Sequence, residues 1–153
     1  MLGRLNEKEI EQLLSTRIFG HLGCSYSGRN YVVPVNYFYR DSVIYAHSGP
    51  GEKIEMMRNN PEVCFQVEDI RTIFRWKSVI AWGTFEEITD EDERQRVMQG
   101  LIHRIMPLTS NPDEHPWHGI AENETDIGGK VPTIVYKIKV HEKSGRFEEH
   151  SAF

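Results

Sequence analysis

The chain has 153 residues, a length that suits one compact domain, and we treat residues 1–153 as that domain. Its formal net charge of -5 excludes a broadly basic nucleic-acid-binding surface. No apolar stretch approaches the roughly 20 residues that a membrane-spanning helix needs, and residues 1–11 lack the basic-then-apolar pattern of a secretory signal. We therefore expect a cytoplasmic protein with neither nucleic acid nor membrane as a partner.

The first element that the pattern predicts is a short amphipathic helix that ends before residue 20. Asn6 and Glu9 have the spacing of a capping box, and the apolar residues that follow fall on one face. A second helix is predicted over residues 50–59, because Pro50 suits a first turn and Asn60-Pro61 ends it. A third begins at Thr89, followed by acidic residues that suit a helix N-terminus.

Six other segments alternate with period two or carry β-branched and aromatic runs, which predicts strands at 20–25, 31–39, 43–47, 63–68, 77–86 and 133–140. The turn residues at 27–30 and 40–42 predict two hairpins, so antiparallel pairing is favoured. The sequence thus indicates a mainly β, α+β domain. Cys24 and Cys64 lie inside apolar strand segments, where we expect two buried free thiols and no disulfide.

Pro34 interrupts the second predicted strand. Proline cannot donate to a strand ladder, so it marks an edge, a bulge or a place where another group approaches the backbone. Amides near Val35 and Asn36 would be left partly free, and the polar edge of a flavin ring can bind such groups. A proline that is merely tolerated in an edge strand is the alternative interpretation.

The segment 45–53 joins the third strand to the second helix. The Ser48 hydroxyl, the amides beside Pro50 and the Lys53 ammonium can converge there on one phosphate. A plain helix cap at Gly49 with a solvated Lys53 explains the same residues, so both interpretations remain open.

Residues 107–130 are rich in Pro, Asn, Asp and Gly and are typical of a long surface excursion. Within it, His115 and His118 stand three residues apart beside Glu114, which raises the question of a metal site. Neither cysteine accompanies them and Pro116 constrains the backbone, so no metal site is predicted. Trp117 is expected instead to pack over a cofactor or a subunit interface.

The order of these motifs resembles the pyridoxamine-5'-phosphate-oxidase-like flavin-binding split-barrel family. The resemblance covers about the first ninety residues, through Gly-His-Leu-Gly at 20–23, the strand at 31–37, the turn at 45–53, Asn60-Pro61 and the strand at 77–83. Val-Pro-Val-Asn-Tyr at 33–37 and the turn at 47–53 are most similar to the branch associated with resistance to nitroimidazole antibiotics.

The resemblance implies a six-stranded antiparallel split β-barrel with flanking helices, and a homodimer that holds two flavins, FMN or FAD, at its subunit interface. Val35 and Asn36 would contact the flavin ring. The ring edge and the ribityl phosphate would be lined by His47, Ser48, Gly51 and Lys53, while Ser78 and Trp82 would reach the flavin of the partner.

The implied activity is that of a flavin-dependent oxidoreductase, in which a nicotinamide or another reductant reduces the flavin and the flavin reduces a small nitroaromatic compound such as a 5-nitroimidazole. His47 is the expected proton donor, although it can also serve only to fix the strand end or the cofactor. Residues 143–150 lack the Arg-and-His substrate segment of the namesake oxidase, so pyridoxamine phosphate is not the expected substrate. A non-catalytic flavin carrier or sensor, and a haem-binding split barrel, are the alternatives.

Overall fold

The computed structural model describes residues 1–105 and 133–150. This part of the chain forms, in order, β1 (Leu2–Arg4), α1 (Glu7–Thr16), β2 (Phe19–Tyr26), β3 (Arg29–Arg40), β4 (Val43–Ser48), α2 (Glu52–Asn59), β5 (Glu62–Thr72), β6 (Arg75–Glu87), α3 (Glu91–Ile105) and β7 (Ile134–Glu149). None of the described helices is both long and apolar enough to cross a membrane.

Six of the strands close into a ring. The strand order is β1-β7-β4-β3-β2-β5-β6, every pair is antiparallel, and β6 also pairs with β7. The antiparallel six-stranded barrel is therefore confirmed. β1 is a seventh strand that pairs with the far end of β7 outside the ring. Its three residues are too few to show an alternating pattern, so the sequence did not predict it.

β7 is longer than predicted. The pattern predicted a strand over 133–140, whereas β7 continues to Glu149 and pairs with β6 along most of its length. The register shifts beside Trp82 and Gly83, which resets the alternation of inward and outward side chains midway along the strand. A single period-two pattern cannot extend across such a shift, so the pattern did not predict the polar second half of β7 as a strand.

The barrel is split between β3 and β4. These strands pair only from Tyr37↔Ala46 to Arg40↔Val43, although β3 begins at Arg29. From Arg29 to Asn36, β2 is the only strand that pairs with β3 among the described residues. Pro34 lies in this one-sided segment, so the edge is the one of its three explanations that the strand pairing supports, since a missing N–H is tolerated where one side of the ladder is absent.

The interior of the ring is filled by side chains, with α1 and α2 packed against them. Tyr37 is fully buried, its ring meets that of Phe65 edge-on at 4.8 Å, and its hydroxyl donates to the carbonyl of Leu14 at 2.6 Å. The predicted capping box is confirmed, since Glu9 donates its amide to Oδ1 of Asn6 at 2.9 Å. This interior is a packed core, so any ligand must bind at the split or on the outer surface.

α3 covers one part of the outer surface, which we call the covered half. The helix begins at Glu91, two residues later than predicted, with the Asp90 carboxylate accepting the amide of Glu93 at 3.0 Å. Its apolar side packs outside the ring in a buried cluster of Ile88, Val97, Met98, Leu101 and Val135. The rings of Phe38 and Tyr45 stack at 4.8 Å beneath it.

The open half is the outer face of β2, β5, β6 and the first part of β3. Its apolar side chains include Phe19, which is 59% exposed, and Val32, which is 70% exposed. Cys64 faces this half and is only half-buried, so its predicted burial is wrong, whereas Cys24 points inward and is buried. Strand alternation placed one thiol on each face of the sheet. Both thiols are free, as predicted.

Candidate functional site

The first part of the site lies where β3 separates from β4. The ladder ends at Tyr37↔Ala46, so Asn36 and His47 are the next residues of the two diverging strands. Val35 is buried in the core, and Asn36 is half-buried on the outer face. Oδ1 of Asn36 is buried and accepts no hydrogen bond from any described residue. A buried amide oxygen is seldom left without a donor, so this position suits a group supplied by another molecule.

The second part is the entry to α2. This helix begins at Glu52 and not at residue 50, and its N-cap is Gly51, which offers no side chain to the first-turn amides. A Cβ atom at Gly51 would meet no atom of the described residues within 4 Å beyond its chain neighbours, so this side of the cap is uncrowded. Ser48 is buried and its hydroxyl donates to the carbonyl of Gly49 at 2.7 Å. Amide groups, more than the Ser48 hydroxyl, face an incoming anion here.

Lys53 is the second residue of α2 and is half-buried. Burial lowers the pKa of its ammonium, although the nearby Cys24 opposes that effect. No carboxylate forms an ion pair with Lys53 within residues 1–105 and 133–150, and the adjacent Glu52 pairs instead with Arg29 at 3.3 Å. The lysine therefore adds a positive charge to the amide dipoles at this helix terminus.

His47 lies on the side of β4 that faces the covered half. It pairs in register with Val135, a member of the α3 cluster, and only 9% of its surface is exposed. The imidazole is thus enclosed near the separation of β3 and β4.

Ser78 and Trp82 lie on β6, on the open half. The order β3-β2-β5-β6 puts Ser78 three strands away from Asn36, or about 14 Å at the usual strand spacing. The predicted site residues therefore form two groups in one subunit. Asn36 and His47 follow the last pair of the β3–β4 ladder, and Ser48 and the entry to α2 come next along the chain, whereas Ser78 and Trp82 lie apart on β6.

A groove of about 420 Å³ runs along the open half beside Trp82. Tyr31, Val32 and Cys64 line it, and at one end His141 lies 3.4 Å from the carboxylate of Glu62. The half-buried indole of Trp82 therefore borders this groove on the outer face.

A polar network that the sequence did not reveal crosses the open half. Nδ1 of the exposed His21 lies 3.3 Å from Oε1 of Gln66, and Nε2 of Gln66 lies 3.0 Å from both Oε2 of Glu68 and Oγ of Ser78. Alternation along β2 places His21 outward, but its partner Gln66 is 45 residues away on β5. No local sequence pattern could have predicted that these side chains meet.

The two histidines at 115 and 118, and the whole excursion at 107–130, lie outside the described residues. Among the residues that are described, no three His, Cys, Asp or Glu side chains approach closely enough to hold a metal ion.

Comparison with known proteins identifies the family. The model of the pyridoxamine 5'-phosphate oxidase family matches residues 6–147. An uncharacterized protein of Rhizobium meliloti is 26% identical over 142 residues, which are 93% of this chain and 92% of the relative. The crystal structure of a FAD-binding protein from Mesorhizobium loti is 28% identical, with a TM-score of 0.74 and 98% of each chain covered.

A candidate 5-nitroimidazole antibiotic resistance protein from Bacteroides thetaiotaomicron has the same fold, with a TM-score of 0.73, 22% identity, and 96% of this chain and 87% of that one covered. The resemblance that the motifs indicated is thus confirmed at the level of family and fold. The chain belongs to the pyridoxamine 5'-phosphate oxidase family and has its split-barrel fold.

Proposed function

We propose that the chain forms a homodimeric, flavin-dependent oxidoreductase that uses a nicotinamide to reduce small nitroaromatic compounds. The observation that carries the proposal is the buried, unpartnered amide oxygen of Asn36 at the split, together with the helix N-terminus that follows β4 and carries a half-buried lysine. Together these features suit one ligand that has a polar ring at one end and a phosphate at the other.

The ring end fits the one-sided segment of β3. Because no β4 residue pairs with β3 before Tyr37, backbone groups near Val35 and Asn36 are available to a ring with hydrogen-bonding atoms along its edge. Oδ1 of Asn36 can accept from a ring N–H, which would satisfy its buried lone pairs. His47, enclosed at the same separation, is placed to fix the cofactor from the β4 side.

The phosphate end fits the entry to α2. Amides at a helix N-terminus and a lysine in the first turn both favour an anion. FAD is the first cofactor to test, since a relative of 28% identity is a FAD-binding protein, and FMN is the second.

A second copy of the chain is the partner that the open half suits. An exposed sheet face carrying Phe19 and Val32 is the kind of apolar surface that proteins bury against one another. Two-fold pairing of this face would carry Ser78 and Trp82 of each subunit toward the split of the other. It would join the two groups of site residues that one subunit keeps about 14 Å apart.

Sedimentation analysis tests this assembly. Val32→Glu, which adds a charge at the β3 edge of the open half and to the groove beside Trp82, is expected to convert a dimer to a monomer and to weaken flavin binding. Leu2→Glu places the same charge on an equally exposed aliphatic residue of β1, outside the ring, and is expected to leave the dimer intact. A monomeric wild-type protein, or a Val32→Glu variant that remains dimeric, contradicts the proposed interface.

A bound flavin supplies hydride transfer between a nicotinamide and an oxidised substrate. The residues of this chain bind and orient the two reactants, exclude water from the split and provide the proton. The choice of nitroaromatic substrates rests on the motifs at 33–37 and 47–53, which resemble the nitroimidazole-resistance branch.

Flavin titration of the purified protein is the primary test. Lys53→Ala removes a charge-assisted phosphate contact of about 1.5–3 kcal/mol, so affinity should fall by about tenfold or more. Lys8→Ala, which removes an exposed lysine from α1, is the control and should leave affinity unchanged. A protein that binds neither FMN nor FAD refutes the proposal.

The catalytic part is tested under anaerobic conditions. A nicotinamide should bleach the absorption of the bound flavin, and a 5-nitroimidazole added afterwards should restore it. A flavoprotein that responds to neither reagent is a carrier or sensor. A Soret band in the purified protein would indicate the haem alternative.

A further inference from the structure

We propose that His21 is the catalytic residue that delivers a proton to the substrate, and that Gln66 and Glu68 are positioning residues that fix which ring nitrogen delivers it. The inference rests on the proposed function and assigns a residue of that site. It is carried by the hydrogen-bonded chain that joins these three side chains across the open half.

The chain of hydrogen bonds determines the orientation of each group. A carboxylate only accepts, so Gln66 must turn its NH₂ group toward Glu68, at 3.0 Å. Oε1 of Gln66 then faces Nδ1 of His21 at 3.3 Å and can only accept from it. Nδ1 therefore keeps its hydrogen, and Nε2 is the nitrogen that takes up and releases a proton.

The same hydrogen bonds also orient the hydroxyl group of Ser78. Its Oγ accepts from Nε2 of Gln66 at 3.0 Å, which leaves its own hydroxyl hydrogen free to point away from the network. Ser78 is one of the residues predicted to reach the partner's flavin. One amide, that of Gln66, thus orients both the proton-carrying ring and this hydroxyl.

The position of His21 places its backbone beside the β3 segment of the site. His21 pairs in register with Pro34, and Phe19, its outward neighbour on β2, pairs with Asn36. Diagonal positions on neighbouring strands are about 7–8 Å apart, so the Cα atoms of His21 and Asn36 are separated by about that distance, while the imidazole turns toward Gln66 on β5. Unlike His47, His21 is exposed in one subunit, on the open half that the proposed dimer sets against the split of the partner.

The reaction balances with one proton from the protein. In ArNO₂ + NAD(P)H + H⁺ → ArNO + NAD(P)⁺ + H₂O, the nicotinamide supplies a hydride, one N–O bond of the nitro group breaks, and the oxygen leaves as water. Nε2 of His21 gives its proton to the departing oxygen and is reprotonated from solvent. Oxidation of the nicotinamide supplies both electrons.

Half-reaction kinetics of the flavin-loaded protein test the role of His21. His21→Gln should slow reoxidation by a 5-nitroimidazole by about 100-fold, and leave flavin affinity and bleaching by the nicotinamide unchanged. His150→Gln removes another exposed histidine, outside the site, and should behave as wild type. A His21→Gln variant that is reoxidised at the wild-type rate overturns this proposal and leaves the proposed function standing. Absence of flavin binding overturns both.

Imidazole ¹⁵N NMR of the flavin-free protein tests the network without any turnover. In neutral His21 we expect the proton on Nδ1, and Gln66→Leu, which removes the acceptor, should shift the ring toward the Nε2–H tautomer. The same variant, loaded with flavin, should lose about tenfold in the nitro step, as expected for one lost orienting hydrogen bond. A wild-type His21 with its proton on Nε2, or a Gln66→Leu variant with an unchanged tautomer, overturns the positioning role.

Discussion

The two halves of the outer barrel surface differ in how far each exposes a histidine side chain. On the covered half, α3 packs over β4 and β7 and His47 is 9% exposed, whereas on the open half His21 is exposed. Both imidazoles project from strands of one ring, so strand geometry alone does not distinguish them. The packing of α3 decides which of them is exposed within one subunit.

The difference follows from where the apolar side of α3 is buried. That helix supplies Val97, Met98 and Leu101 to the covered half. The open half has apolar side chains of similar size, among them Phe19 and Val32, but no described helix packs on them. One half is completed within the chain, and in our proposal the other is completed by a second copy.

The largest effect, on the free energy of unfolding, is expected from a substitution in the buried α3 cluster of the covered half. Leu101→Ala removes a fully buried side chain from the α3 cluster and should lower the free energy of unfolding by about 2–5 kcal/mol, because a cavity remains. Chemical denaturation measures the change. Gln99→Ala, at an exposed position of the same helix, should stay within about 0.5 kcal/mol of wild type. Equal effects of the two variants would mean that α3 does not seal this half.

A smaller effect distinguishes the two histidines. His47→Gln should reduce flavin affinity by about tenfold, which corresponds to one lost hydrogen bond of about 1.4 kcal/mol, and should leave the nitro step of the bound flavin unchanged. His21→Gln should show the reverse pattern. Flavin titration and stopped-flow absorbance measure the two quantities. If His47→Gln slows the nitro step and preserves affinity, His47 is the proton donor, as the residue pattern first indicated.

The smallest effect concerns the pH dependence of flavin binding. Burial lowers the pKa of Lys53, so the lysine loses its proton below the usual lysine range. An anionic ligand prefers the charged form, so affinity is full at lower pH and should fall several-fold as pH rises through that pKa. Lys53→Arg stays charged, and its affinity should be flatter over the same range. Dissociation constants measured by fluorescence titration test this, and an equal decline in both proteins would assign the effect to the flavin.

Several features of the site were predictable because their signals are local. Pro34 indicated an edge, a bulge or an approaching group through its missing amide hydrogen, and among the described strands β3 has only β2 as a partner there. Lys53 was predicted in the first turn of a helix and is its second residue. The N-cap position was less predictable, since Gly49 with Glu52 three residues later fits a cap pattern, whereas the path of the chain makes Gly51 the N-cap.

Other features depend on contacts that no local pattern encodes. The partners in the His21, Gln66 and Ser78 network come from three strands, and their meeting depends on register. Cys64 looked buried because its segment is apolar, but alternation turned its thiol to the outer face. The second half of β7 was missed because the register shift beside Trp82 interrupts its alternation.

The sequence alone determined most elements of this protein, namely its helices, the one-sided strand at Pro34 and the ring strands apart from the second half of β7, because period, capping and proline chemistry act over a few residues. The tertiary structure decided which outer half α3 covers, which histidine stays exposed, and that one subunit keeps Ser78 and Trp82 apart from Asn36. These outcomes depend on strand order and register, which join residues far apart in the chain.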